Sequence, residues 1–187
     1  MSETTPFRDG PRVFLHPTRE SDLDTVLALE RHADNAPFIG RWIREEHAGA
    51  FDHELFEHFV LTAAEGQSPI GYLIALNLVV EGFGVWIKRI VVSVKSRGLG
   101  RAFLSGYLVE ALHRLGADSA MLKVYRTNPR AQKMYRTIGF AEITLPVEDF
   151  AKLARQPSVG PIDEGFIIMR AESSVLTSAD RRGPAVE

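Results

Sequence analysis

Three β-rich runs follow one another at 59–64, 70–80 and 85–92, and from Gly98 the apolar spacing changes to a helical one. The connections between the runs, Glu65-Gly66-Gln67-Ser68 and Glu81-Gly82-Phe83-Gly84, are too short for a crossover, so the three strands form an antiparallel meander. Beyond the change, Leu104, Leu108, Ala111, Leu112 and Leu115 draw one apolar stripe along a helix that Gly116 stops. The pattern then predicts a strand at 121–124, a helix at 128–138 closed by Gly139, a strand at 140–145, a short helix at 147–153 and a strand at 166–169. Strands alternating with helices need crossover connections. The expected class is therefore mixed α/β, an antiparallel meander followed by strands and helices joined through crossovers.

Ahead of the meander, Val13-Phe14-Leu15 is a short strand, and Ser21 with Asp24 has the spacing of a capping pair before a helix whose apolar face is Leu23, Val26 and Leu27. Phe51, Leu55, Phe56 and Phe59 have the spacing of a second helix over 45–59. Residues 1–11 and 172–187 lack periodic apolar positions and read as tails, leaving one domain over 12–171.

Composition removes several function classes. With no cysteine the chain has no disulfide framework, thiolate zinc site or cysteine nucleophile. A formal charge of −2 offers no general attraction to nucleic acid or an anionic membrane. The N-terminus does not read as a signal peptide, and no apolar run reaches the roughly 20 residues that span a bilayer. A cytoplasmic protein is the expectation. His53-Glu54-Leu55-Phe56-Glu57-His58 has the wrong spacing for a helical zinc pair, so no metal is expected.

The segment Ile90-Val91-Val92-Ser93-Val94-Lys95-Ser96-Arg97-Gly98-Leu99-Gly100-Arg101-Ala102 runs from a strand through a glycine-bearing turn straight into a helix. Backbone N–H groups in a helix's first turn have no intrahelical partner and sit at the positive end of the macrodipole, so the segment suits a diphosphate. It lacks the Gly-Lys-Ser/Thr of a P-loop, and Phe103 stands where a dinucleotide fold needs a small residue. Arg97, Gly100 and Ala102, followed by Asn128, Ala131, Tyr135 and Gly139-Phe140, resemble the paired motifs of the GNAT superfamily of acetyltransferases.

That resemblance implies a central mixed, mostly antiparallel sheet flanked by helices, with a splayed parallel strand pair at an acetyl-coenzyme A site. Backbone groups of Arg97, Gly98, Leu99, Gly100, Arg101 and Ala102 would hold the pyrophosphate. Ile90, Val91 and Val92 would pair with the pantetheine arm and orient the acetyl carbonyl, and the Asn128 amide would bond the pantetheine, though Asn128 before Pro129 also suits a helix N-cap. Tyr135 would be the general acid for the departing thiolate. Glu81, with Glu30 as the alternative, is the candidate base, since Lys88 and Arg89 occupy the strand where the family often carries one. Of Lys95, Arg97, Arg101, Arg126, Arg130, Lys133 and Arg136 a few could meet a 3′-phosphate, most being solvated charges on helix faces, and 145–165 is long enough to shape an acceptor site.

The implied activity is transfer of acetyl to a primary amine, of a small molecule or a peptide N-terminus, by direct attack in a ternary complex. The alternatives are a non-catalytic acyl-coenzyme A sensor and an enzyme for a longer acyl chain. The expected partner is an amine acceptor, with a second copy of the chain as a further candidate. Asn35-Ala36-Pro37-Phe38-Ile39, Trp42, Glu45-Glu46-His47 and the Lys88-Arg89-Ile90-Val91-Val92 strand are similar to the branch related to ribosomal-protein N-terminal acetyltransferases. Ala141-Glu142-Ile143-Thr144 after Gly139-Phe140 departs from that branch.

Overall fold

A computed structural model describes residues 13–64 and 66–176. Seven strands, β1 (Phe14–Pro17), β2 (Phe56–Thr62), β3 (Gly71–Leu78), β4 (Gly84–Val92), β5 (Ser119–Tyr125), β6 (Ala141–Ile143) and β7 (Phe166–Glu172), form one sheet in the order β1-β2-β3-β4-β5-β7-β6. The helices are α1 (Leu23–Arg31), α2 (Arg44–Gly49), α3 (Leu99–Leu115), α4 (Pro129–Ile138) and α5 (Val147–Ala154). The mixed, mostly antiparallel sheet expected from sequence is thus present, with β4 and β5 parallel in the register Val85↔Ala120 to Ile87↔Leu122. Lys88–Val92, the last five residues of β4, lie beyond that register.

The described residues divide into two compact units. The first contains the chain up to Leu76 together with Lys88–Tyr107, and the second contains Asn77–Ile87 and the chain from Leu108 on. In the first unit, β2 pairs with β1 and β3 on either side, and Val26, Leu29, Val60, Tyr72, Ile74 and Val91 form a buried cluster against which Ile39, Trp42 and Phe56 pack. In the second, β7 lies between β5 and β6 and is antiparallel to both. A strand arriving last in sequence enters between two earlier ones, an insertion that no local pattern announces.

Two expectations for the front of the chain are corrected. The helix anticipated over 45–59 ends at Gly49, and Phe56 and Phe59 belong to β2, whose side chains alternate across the sheet instead of following a helical face. Their three-residue separation had matched helical spacing by coincidence, and the cross-strand pairs Phe56↔Leu76 and Phe59↔Leu73 decide the outcome. At α1, a 3₁₀ turn at Glu20–Asp22 moves the helix start past Ser21, and the capping bond is Arg19 N–H to Asp22 Oδ2 at 2.9 Å. Residues 1–11 lie outside the described chain, as does most of 172–187. Glu172, however, ends β7, and Leu176 is buried, so the start of the supposed C-terminal tail is part of the packed structure.

Candidate active site

β4 hands the chain to α3 through residues 93–98. Ser93 N–H still donates to Ile70 O at 2.8 Å, so β4 stays beside the entry to β3 up to that residue. The two backbones are close enough that a Cβ on Gly71 would stand 2.7 Å from the Val91 carbonyl oxygen. The chain then turns through two left-handed residues, Ser96 at φ 60° and Gly98 at φ 75°. Such turns gather backbone N–H groups into an anion-binding concavity. A Cβ on Gly98 would meet nothing within 4 Å, so the glycine serves the dihedral and leaves the space above it open.

Ala102 N–H donates to Gly98 O at 2.9 Å and starts the helical ladder. The N–H groups of Leu99, Gly100 and Arg101 therefore precede the first intrahelical bond, at the positive end of the helix. Ala102 differs from its expected role: its N–H is already engaged, and it contributes a small side chain at the helix start. Arg97, Gly98 and Arg101 are exposed. Lys95, expected among cations free for phosphate, donates from Nζ to Val92 O at 2.5 Å and to the Asn35 side-chain oxygen.

In the second unit, Asn128 caps α4, its Oδ1 accepting from Ala131 N–H at 3.1 Å. The cap reading is therefore correct, and the oxygen is occupied. Tyr135 is buried on the same helix with its ring 5.9 Å from that of Phe140. Burial raises its phenol above the ordinary value of 10.0, so it carries its proton throughout the physiological range. Glu81 stands in the turn before β4, whereas Ile90, Val91 and Val92 end that nine-residue strand. Nothing around Glu81 marks it as a base: it is partly exposed, and the group engaged is its backbone oxygen, which accepts from Lys152 Nζ.

The first unit also holds a buried ionic assembly. Glu30, 1% exposed, accepts at Oε1 from Tyr72 O–H at 2.7 Å and from Arg89 Nη1, and at Oε2 from Trp42 N–H at 3.1 Å. His47 Nε2 lies 3.2 Å from Glu30 Oε1 without good hydrogen-bond alignment. His47 Nδ1 is 2.9 Å from His58 Nε2, and His58 Nδ1 is 2.7 Å from Thr18 Oγ1. Burial, reinforced by His47 and Arg89, pushes the His58 imidazole down to about 3, so it is neutral at physiological pH. A neutral His58 has one N–H for two neighbours. The Thr18 hydroxyl can donate to Nδ1, which leaves Nε2–H for His47 Nδ1.

Burial alone would raise the Glu30 carboxyl, but His47, Arg89 and Tyr72 together outweigh it and hold it below the usual carboxylate value. A carboxylate so enclosed and so well supplied with donors is a poor proton acceptor, which removes Glu30 as a base. Trp42 covers the assembly, with Lys88 Nζ 5.3 Å and Arg89 Cζ 5.2 Å from its ring centroid.

A model of the acetyltransferase (GNAT) family matches residues 23–140. This chain belongs to that family. As a GNAT member it is an acetyl-coenzyme A-dependent N-acetyltransferase. No curated protein matches it in sequence. Among solved structures it is similar to spermidine N-acetyltransferase from Vibrio cholerae in complex with CoA and spermine, with TM-score 0.69 and 16% identity over 88% of this chain and 98% of the other. It is also similar to the ribosomal-protein-S18-alanine N-acetyltransferase from Escherichia coli, with TM-score 0.61 and 22% identity over 94% and 99%. A domain from Methanocaldococcus jannaschii gives 0.64 and 16% over 86% and 97%. At these identities the likeness establishes the fold.

The GNAT elements expected from sequence fall into two groups. Ile90, Val91, Val92 and Arg97–Ala102 share one unit, and Asn128 and Tyr135 share α4 in the other. The Glu30–Arg89 assembly was not anticipated as a unit. Arg89 beside Lys88 in a strand that is apolar at its other positions was its one sequence signal, since an arginine whose side chain turns to the core demands a buried acid. Among the described residues no helix is long and apolar enough to cross a membrane, and no group of three His, Asp or Glu could hold a metal ion.

Proposed function

We propose that this enzyme binds the pyrophosphate of acetyl-coenzyme A on Arg97–Arg101 and passes the acetyl group directly to a primary amine. The observation that carries the reading is the turn through Ser96 and Gly98 into α3, with the first-turn N–H groups ahead of the helical ladder and open space above Gly98. The neutral amine nitrogen attacks the thioester carbonyl carbon, the C–S bond breaks, the thiolate takes a proton, and the new ammonium loses one to solvent. Tyr135, held protonated by burial, is the donor to sulfur. The Asn128 amide N–H₂ is left to meet the pantetheine, its oxygen being used as the cap.

The acceptor is a primary amine, of a small molecule or of a peptide N-terminus.

The test is thiol release from acetyl-coenzyme A with amino-acid, peptide and polyamine acceptors, for wild type and Tyr135→Phe. Acceptor-dependent release, lowered about 100-fold in kcat for the variant while coenzyme affinity is kept, is the expected result. Coenzyme binding without release for any acceptor would favour a sensor. Release only from longer acyl thioesters would change the donor, and absence of coenzyme binding would sink the reading.

A further inference from the structure

We propose that Lys95 is a positioning residue that couples occupation of the coenzyme cradle to the order of residues 35–42, an inference that rests on the cradle reading above. These residues lie between α1 and α2 and are tied to β4 at both ends. At the far end, Trp42 N–H donates to Glu30, which Arg89 of β4 holds. At the near end, Asn35, 5% exposed, donates from Nδ2 to Leu29 O at 2.8 Å and accepts at Oδ1 from Lys95. The same Lys95 Nζ donates to the carbonyl of Val92, the last residue of β4. Between the two ties, Ile39 packs on the cluster containing Val91.

The two ties differ in what they can transmit. The Trp42 tie ends on a strand interior, where packing leaves no freedom. The Asn35 tie ends on Lys95, two residues before Arg97 and within the turn whose backbone must settle around a phosphate. Fixing residues 96–101 on a diphosphate fixes the Lys95 backbone, and the ammonium carries that restraint to Asn35 and Val92. Occupation of the cradle should thus firm the segment beside Val91 before the acceptor arrives, lowering the ordering cost of the second binding step.

Hydrogen exchange of the full chain, with and without coenzyme A, tests this without knowledge of the acceptor. In wild type, bound coenzyme A should slow amide exchange in 35–42 by about fivefold or more. In Lys95→Met, coenzyme A should still bind, with affinity within about threefold by calorimetry, but the slowing should vanish. Asn35→Ala should behave alike, and the double variant should be no worse than either single one, because both remove one link. Lys95→Gln is the second variant should the methionine one fail to fold. Slowing that survives in Lys95→Met, or its absence in wild type with coenzyme A bound, overturns the coupling alone. A fall of more than about tenfold in coenzyme affinity with wild-type exchange in the segment would make Lys95 a phosphate ligand instead. Failure of wild type to bind coenzyme A overturns the coupling and the cradle together.

Discussion

The cradle at 96–102 and the assembly around Glu30 are built on opposite principles within the same unit. The proposed cradle is largely exposed, local in sequence and made of backbone: two left-handed residues lead into the start of α3, whose first N–H groups would be its donors. The assembly is buried and made almost wholly of side chains, from Thr18, Glu30, His47, His58, Tyr72 and Arg89, with the Trp42 N–H as its backbone member. A backbone site tolerates substitution wherever the dihedrals survive. A buried ionic site tolerates little, because each group's desolvation is offset only by the others. Changes to the assembly should therefore be read mainly in stability, and changes to the cradle mainly in ligand affinity.

Arg89→Met is the largest expected departure. It leaves the Glu30 carboxylate buried without its guanidinium, and breaking such a pair from one side costs about 3–5 kcal/mol. The Tyr72 and Trp42 donors remain, so the loss should lie near the lower end, with a matching fall in the urea midpoint at pH 7. Glu30→Gln combined with Arg89→Met removes both charges and should recover part of it. A loss under about 1 kcal/mol for Arg89→Met alone would break the contrast, since the assembly would then be dispensable to the fold.

The same contrast explains what could be read in advance. The glycine-bearing turn into α3 and the cap of α4 were legible because each is written within a few consecutive residues: Gly98 must adopt a positive φ, and Asn128 must stand three before Ala131 to cap the helix. The meander was legible through its short turns. The Glu30 assembly was not, because Glu30 and Arg89 are 59 residues apart and a helix carboxylate looks the same in sequence whether buried or solvated. The insertion of β7 between β5 and β6 was hidden for the same reason, register being a property of pairs of strands. Phe56 and Phe59 misled because two aromatic residues three apart satisfy a helical period, and only the partner strand β3 separates the readings.

Gly98→Ala is the cradle's counterpart and a smaller effect. Alanine has room above the chain but must hold φ near 75°, at a cost of roughly 1–2 kcal/mol. If the turn opens to relieve that strain, coenzyme A affinity should fall about tenfold, with the thermal midpoint moving only a few degrees. Calorimetry separates the two readouts. A large stability loss with unchanged affinity would reverse the contrast and make Gly98 a structural glycine alone.

The smallest effect concerns acid. The folded His58 imidazole titrates at about 3 against 6.5 for the ordinary group, so below pH 6.5 the unfolded chain gains a proton that the folded chain refuses. Stability is thus fully present above pH 6.5 and is lost as pH falls through the window toward 3. From pH 7 to pH 6 this one group should remove roughly 0.7 kcal/mol, and the slope should steepen toward about 1.4 kcal/mol per pH unit below that. Glu30, whose carboxyl is also held low, adds to the loss only below its ordinary value of 4.5. Urea midpoints at pH 7, 6 and 5 for wild type and His58→Gln measure the difference. The glutamine variant, having no proton to gain at that position, should lose less stability between pH 7 and 5 than wild type does. Parallel profiles would mean that the folded protein protonates His58 as readily as the unfolded chain, and that the chain from Thr18 to Glu30 is looser than its buried geometry requires.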